Sequence, residues 1–388
     1  MDNLMQAFSF ELPTRIEYGI GSVHQLGEEL KKLKVNKVMI VTDEGIVKAG
    51  LIEKTVASLK QYAIKYEIFQ GVEANPKDYN VEKGAAVAQC FGAEGLIAVG
   101  GGSPIDCAKS IAVLVSHDGD KIKSFEGKTA VTKPTIPLIA IPTTAGSGSE
   151  VTFSSVITDT KNNYKMTVKS PLIAPKIALV DPEMTISMPP QVTAATGVDA
   201  LTHAIEGYTV KVAEPISDAV ALYAIELISK YLKTAVFQGE DIEARAGMLM
   251  GSLLAGMAFS HADVASVHCM AESLGSVYDA PHGACNAILL PYVMEYNMEY
   301  CQERYANVAK AMGASYSNVE EGAQKAVEMV KQLANDVKLP SFKSLGVEEK
   351  DFDILAEMSA KNISTESNPR PMTKEDYLEV FIRAYRDK

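Results

Sequence analysis

Asp199, His203, His268 and His282 are side chains of metal-ligand type at spacings that suit one divalent ion, and they use three of the six histidines in the chain. In GVDALTHAIEGY the carboxylate and the first imidazole stand four residues apart, which on a helix sets both on one face about a turn from each other. One helix can then supply two ligands. His268 in VHCMAESLG and His282 in APHGACNAILLP sit at the ends of a short apolar-to-turn stretch, so a second helix and the loop after it could close the cage. One carboxylate with three imidazoles suits Fe(II) or Zn(II) and argues against Mg(II) or Ca(II), which prefer oxygen-rich shells. Each histidine alone has an ordinary alternative as a hydrogen-bonded core or surface residue. Together the four argue for a metal, because Asp199 lies on a small, apolar segment where an unpaired carboxylate would be costly to bury.

A second group of residues could hold phosphate. GLIAVGGGSPIDCAK sets Gly100, Gly101 and Gly102 at the end of an apolar run, with Ser103 and Pro104 in the first turn of the helix that follows. Residues without a Cβ let a pyrophosphate approach the backbone, and a helix N-terminus presents free N–H groups with partial positive charge. The spacing departs from G-x-G-x-x-G, so a tight strand-to-helix turn is the alternative. A hydroxyl-rich loop, Thr143, Thr144, Gly146, Ser147 and Gly148, follows the next buried run. Two such loops at the carboxyl ends of one sheet frame a nucleotide crevice. Asp43 directly follows the first strand of this region, where it could accept hydrogen bonds from an adenosine ribose and would repel a 2′-phosphate. That favours NADH over NADPH, the alternative being a helix or turn cap.

The elements that must position these groups can be read from periodicity. NKVMIVTD, IKYEIFQG, GLIAVGGG and IPLIAIPTT read as strands, alternating with LIEKTVASLKQYAI, VEKGAAVAQCFGA and SPIDCAKSIAVLV as helices. Strand and helix in turn predict a parallel sheet with helices on its faces. Beyond Pro190 the β-branched runs nearly vanish, and Ala, Leu, Met and Glu at three-and-four spacing dominate, as in AVALYAIELISKYL and ARAGMLMGSLLAGMAF, which predicts helices throughout. A chain of 388 residues is too long for one comfortable core. The expected fold is an α/β N-terminal dinucleotide-binding domain with a parallel sheet over 1–185 and an all-α metal and substrate domain over 186–388.

The net charge of −12 disfavours nucleic acid or an anionic membrane surface as the main partner. The five cysteines are an odd number at irregular spacings, mostly in apolar settings, and are read as reduced and buried. MDNLMQAFSFELP lacks a basic lead and a long apolar run, so no signal peptide is expected. Nothing later is expected to reach the ~20 apolar residues of a membrane span. A soluble, cytoplasmic protein follows as the expectation.

Over essentially its whole length the chain resembles the iron-containing (group III) alcohol dehydrogenases. The match rests on GGGSPIDCAK, PTTAGSGSEVT, ALVDPEMTISMPP, GVDALTHAIEGY and PHGACNAILLPYVMEYN. The resemblance implies an N-terminal dinucleotide-binding domain, a helical domain that holds the metal, and an active site between them. It implies Asp199, His203, His268 and His282 as ligands of Fe(II) first and Zn(II) second. It also implies Asp43, Gly101, Gly102, Ser103, Thr143, Thr144 and Ser147 as NAD contacts, with Lys165 reaching the nicotinamide side and Asp106 of GGGSPIDCAK grouped with them. Phe259 matches an aromatic that borders the substrate pocket in relatives, and Ser154 is assigned to the same pocket. Homodimers or larger assemblies are common among relatives.

The chain departs from this pattern where many relatives read H-x-M-A-H: VHCMAES carries Glu272 in place of the second histidine. Glu272 is assigned, with His268, to the catalytic set, as proton relay, as partner of a substrate hydroxyl or ammonium, or as an extra metal ligand. In SHADVASVH, His261, Asp263 and Ala265 replace smaller or neutral residues of relatives. The expected reaction is hydride transfer between NAD(H) and a small primary alcohol or aldehyde, running as aldehyde reduction, on a hydroxy-, carboxy- or sulfo-aldehyde. Arg370 or Lys165 would be the partner of an anionic tail, a structural salt bridge being the alternative for both. A lyase or synthase of the dehydroquinate synthase type is the nearest rival, but it would need a Lys- and Arg-rich pocket. A non-catalytic NAD or metal sensor is the rival of another class.

Overall fold

The computed structural model describes residues 7–117, 119 and 121–387. Residues 1–6, which carry part of the N-terminal reading, lie outside them. The chain forms two compact units.

The first unit comprises Leu12–Thr144 and Gly148–Met188. Its strands are β1 (Arg15–Tyr18), β2 (Lys37–Val41), β3 (Lys65–Phe69), β4 (Gly95–Gly100), β5 (Leu138–Pro142), β6 (Ser154–Asp159), β7 (Tyr164–Lys169) and β8 (Ile177–Val180). Its helices are α1 (Leu26–Lys32), α2 (Glu44–Lys48), α3 (Ile52–Gln61), α4 (Asp78–Phe91) and α5 (Gly102–Ser116). Six strands pair in parallel in the order β1-β8-β5-β4-β2-β3. The apolar runs are continuous because both faces of the sheet are covered. Along β2 and β4, Met39, Leu96 and Ala98 pack with Ile105, Ile111 and Val81 of α5 and α4. Val38, Ile40, Ile97 and Val99 face the other way, onto Leu26, Leu30 and Leu59 of α1 and α3. This is the two-residue alternation of a pleated strand.

β1, β8 and the antiparallel hairpin of β6 and β7 lie outside the runs read as strands above. β1 and β8 have four residues each, too few for a periodic signal. The hairpin turn passes through Asn163 at φ 53, a left-handed conformation that asparagine tolerates.

The second unit contains residues 7–11, Ala145–Ser147 and the chain from Pro189 onward. Among its described residues the regular elements are helical: α6 (Pro190–Thr209), α7 (Pro215–Phe237), α8 (Ile242–His261), α9 (Ser266–Tyr278), α10 (His282–Ala311), α11 (Val319–Asp336), α12 (Phe352–Ala360) and α13 (Lys374–Arg386), with short 3-10 turns. The parallel α/β unit and the helical unit are those expected. α8 corrects one expectation, being long and apolar enough by composition to cross a membrane. Its most apolar window is 61% buried, and the buried guanidinium of Arg245 bonds Gly239 O and Thr193 Oγ1, so α8 packs as a core helix. Among the described residues no cysteine forms a disulfide; Cys107, Cys269, Cys285 and Cys301 are buried, whereas Cys90 of α4 is exposed, against the expectation that the cysteines are buried.

Candidate functional site

In the helical unit the four candidate ligands come from three helices. Asp199 and His203 lie one turn apart on α6, His268 lies in the first turn of α9, and His282 is the first residue of α10, directly after Pro281. The expectation of two helices and a loop is thereby corrected: a third helix starts at the ligand. Pro281 cannot donate a backbone hydrogen bond and suits a helix start. The ligand atoms of Asp199, His203, His268 and His282 lie within 4.8 Å of one another. Asp199 and His203 are 5% exposed and His268 3%, whereas the His282 side chain is 31% exposed, so the cluster opens at His282.

Lone pairs converge in this cluster. Asn286, a turn beyond His282 and fully buried, directs Nδ2 to Asp199 Oδ1 at 2.7 Å, His268 Nε2 at 3.1 Å and His282 Nε2 at 3.2 Å. An amide nitrogen carries two hydrogens and cannot serve three acceptors at once. A cation among these acceptors would satisfy all of them, so the residues fit a metal. Burial pushes the His203 imidazole down to about 4, against the pull of Asp199, which keeps it neutral, as a ligand must be. Burial would raise Asp199, yet the surrounding imidazoles and Asn286 hold it below the usual carboxylate value. His268 is desolvated too, but Glu206 and Asp199 draw it above its ordinary value.

Glu206 and Asn286 are absent from the sequence-derived site. Glu206 follows His203 by three residues within GVDALTHAIEGY, and Asn286 follows His282 by four. Helical spacing from the ligands was the signal that could have found both.

Phe259 of α8 stacks on His203, with ring centroids 4.3 Å apart. Glu272 lies a turn beyond His268 on α9, and its Oε2 accepts from Asn362 Nδ2 at 2.6 Å. The departures in SHADVASVH are taken up within the unit. His261 stacks on Phe10 at 3.9 Å, Asp263 at φ 144 accepts from Ser367 Oγ, and the Ala265 amide donates to Glu206. Arg370 lies over the Tyr296 ring at 4.1 Å and donates to Tyr296 O, a cation–π contact rather than a salt bridge.

In the α/β unit, β4 ends at Gly100 and α5 starts at Gly102, with Gly101 as an N-cap that makes no side-chain hydrogen bond. Gly100 has φ 152, and a Cβ there would lie 2.5 Å from Pro104 Cγ. Gly100 pairs with Pro142 of β5 and accepts from Thr143 N at 3.0 Å, so the glycine loop and Thr143–Thr144 are adjacent. Thr143 Oγ1 is buried without a hydrogen-bond partner among the described residues. β2 neighbours β3 on one side and β4 on the other, so the chain reverses direction across the sheet there, which is where such folds bind nucleotides. Asp43 leaves β2 at this point and caps α2 by accepting from Ile46 N through Oδ1. Gly101, Gly102, Ser103, Thr143 and Thr144 therefore gather around uncapped N–H groups of α5 that suit a pyrophosphate. Ser147 groups with the helical unit.

Asp106, Lys165 and Ser154 also have partners within the α/β unit. Asp106 accepts from Ser149 Oγ and Val156 N, and Lys165 Nζ donates to Asn75 Oδ1. The Ser154 carbonyl accepts from Lys109 Nζ. Lys109 is fully buried and also donates to Ser149 and Thr152, tying residues 149–154 to α5. Burial holds its amine down to about 8.

The model of iron-containing alcohol dehydrogenase matches residues 13–182, and that of the Fe-containing alcohol dehydrogenase family, C-terminal, matches 193–385. A choline dehydrogenase of Bacillus subtilis is 40% identical, over 99% of this chain and 97% of its own. A 1,3-propanediol dehydrogenase of Klebsiella pneumoniae is 40% identical, over 97% of this chain and 99% of its own. The crystal structure of a 1,3-propanediol oxidoreductase superposes with a TM-score of 0.95 at 40% identity, covering 98% of this chain and 100% of that one.

Proposed function

The chain belongs to the iron-containing alcohol dehydrogenase family, and on that premise we propose that Asp199, His203, His268 and His282 hold its divalent metal, with Fe(II) preferred over Zn(II). It is an NAD-dependent oxidoreductase of small alcohols and aldehydes. The observation that carries the ligand set is the approach of four ligand atoms from three helices to within 4.8 Å. Gly101, Gly102, Ser103, Thr143 and Thr144 are proposed to bind the NAD pyrophosphate, Asp43 the adenosine ribose, and Ser147 and Lys165 further parts of the cofactor. Asp106 keeps a supporting role through Ser149.

When bound, the metal supplies a Lewis acid to the substrate oxygen, and NAD(H) carries the hydride. Phe259 closes one wall of the pocket, and its stack on His203 limits the imidazole's rotation. Glu272, steadied at one oxygen by Asn362, faces the substrate. The carboxylate also reads the far end of the substrate: a hydroxyl donor or a cationic group suits it, and a carboxylate or sulfonate is repelled. The proposed substrate is therefore a short primary alcohol, or its aldehyde, with a hydroxyl or cationic group two or three carbons away. The relatives' names, choline dehydrogenase and 1,3-propanediol dehydrogenase, fall in that class. Arg370, the candidate partner for an anionic tail, is engaged by Tyr296. Aldehyde reduction, a homodimer and a cytoplasmic location complete the proposal, and light scattering in solution tests the assembly.

The deciding experiment is NADH consumption by protein reconstituted with Fe(II) or Zn(II), on 3-hydroxypropionaldehyde, lactaldehyde, betaine aldehyde and succinic semialdehyde. The hydroxylated or cationic aldehydes should exceed the carboxylated one at least tenfold in kcat/KM, a difference of about 1.4 kcal/mol. A preference for succinic semialdehyde would refute the role of Glu272.

A further inference from the structure

α9 starts without a cap of its own. Its N-cap residue, Ala265, makes no side-chain hydrogen bond, yet the first N–H groups of a helix need acceptors. Glu206, from α6, provides them. Its Oε2 accepts from Ala265 N at 2.9 Å and its Oε1 from Val267 N at 2.7 Å. The same Oε2 lies 2.5 Å from His268 Nδ1. Glu206 is 3% exposed, and among the described residues its ion-pair partner is His268 alone.

An ionised carboxylate can only accept hydrogen bonds, so this contact puts the imidazole hydrogen on Nδ1 and leaves the Nε2 lone pair open. His268 Nε2 is the atom that shares Asn286 Nδ2 with Asp199 Oδ1 and His282 Nε2. One carboxylate thus sets the start of α9 and the tautomer and aim of its imidazole. It also bears on charge. Asp199 and Glu206 are two buried acids with no Lys or Arg paired to either among the described residues, and a divalent ion would balance both.

We propose that Glu206 is a positioning residue of the metal centre, holding His268 with Nε2 towards the other ligands and supplying the second negative charge that makes the site select a divalent ion. This rests on the metal reading above. A carboxylate behind a metal-bound histidine fixes the ring and strengthens it as a ligand.

The test compares wild type with Glu206→Gln, which keeps the side-chain size and removes the charge. Competition against a chromophoric chelator should give a Zn(II) dissociation constant about 10–100-fold higher in the variant. Saturating Zn(II) should also raise its thermal midpoint by less than it raises that of wild type. A carboxylate that only capped α9 would lower the midpoint of the metal-free variant and leave the Zn(II) constant within twofold of wild type, which overturns the proposal. If the variant does not fold, zinc-loaded wild type with ¹⁵N-labelled histidine decides by long-range ¹H–¹⁵N NMR. His268 should carry its hydrogen on Nδ1, and a hydrogen on Nε2 overturns the proposal. Wild type that binds neither Zn(II) nor Fe(II) overturns the metal reading itself, whereas tight wild-type binding with an unaffected variant overturns only the role of Glu206.

Discussion

Asn286 Nδ2 donates to Asp199 Oδ1 across 2.7 Å, joining the first turns of α10 to the middle of α6 at the point where the imidazoles meet. This amide is the donor that serves a cluster of acceptors. Asn286→Ala should therefore destabilise the metal-free protein by about 1–3 kcal/mol and the zinc-loaded protein by less, since the ion takes over the lone pairs. Paired thermal melts with and without Zn(II) check this, and equal losses in the two states would contradict it.

The start of α10 approaches α6 closely only because position 283 has no side chain. A Cβ on Gly283 would lie 2.7 Å from Ala195 O and 3.2 Å from Asp199 Cβ, and backbone cannot yield as a flexible side chain does. Gly283→Ala should move His282 away from Asp199, raising the metal dissociation constant at least tenfold and costing about 1–3 kcal/mol of stability. Metal titration and denaturant melts measure the two effects. Tight metal binding by this variant would mean that His282 is not needed at its observed place.

Asp43 caps α2 and is proposed to meet the adenosine ribose, and one substitution separates the two roles. Serine can keep the cap on Ile46 N while removing the charge that would oppose a 2′-phosphate. Asp43→Ser should raise kcat/KM for NADPH relative to NADH at least tenfold, about 1.4 kcal/mol, with an unchanged thermal midpoint. An unaltered cofactor ratio would leave Asp43 as a helix cap alone.

Asp159, at the end of β6, pairs with Lys123 and accepts from Asn162. Burial alone would raise its carboxyl, but these partners bring it down to about 2. A group whose folded value is depressed stabilises the protein above its unfolded value, near ~3.9, and loses that contribution as pH falls through the folded value. Asp159→Asn should therefore destabilise the protein at pH 6, with the difference from wild type shrinking between about pH 4 and pH 2. Urea melts across that range test the sign, and a difference that widens on acidification would refute it.

The strands β2, β4 and β5 were legible because they are buried on both faces and read as unbroken apolar runs ending in Gly or Thr. The hairpin of β6 and β7 was not, because its polar alternation resembles a loop until its strands pair. Asp106 lies in the glycine-loop motif, and Lys165 was placed by the resemblance alone. The partners of their side chains, Ser149 and Val156 for Asp106 and Asn75 for Lys165, are neighbours that only the folded chain brings near.

For the metal cluster the division is similar. Spacing along one helix put Asp199 and His203 on one face, since helical periodicity is a local property of the chain. Whether His268 and His282 meet them depends on contacts between helices, which no local period encodes. The folded chain decided that α10 begins at His282, that Gly283 admits the close approach, and that Glu206 and Asn286 bond the candidate ligands. Residue types and their local periods are written in the sequence, whereas the direction of a lone pair is set by whichever partners tertiary packing places behind the ring.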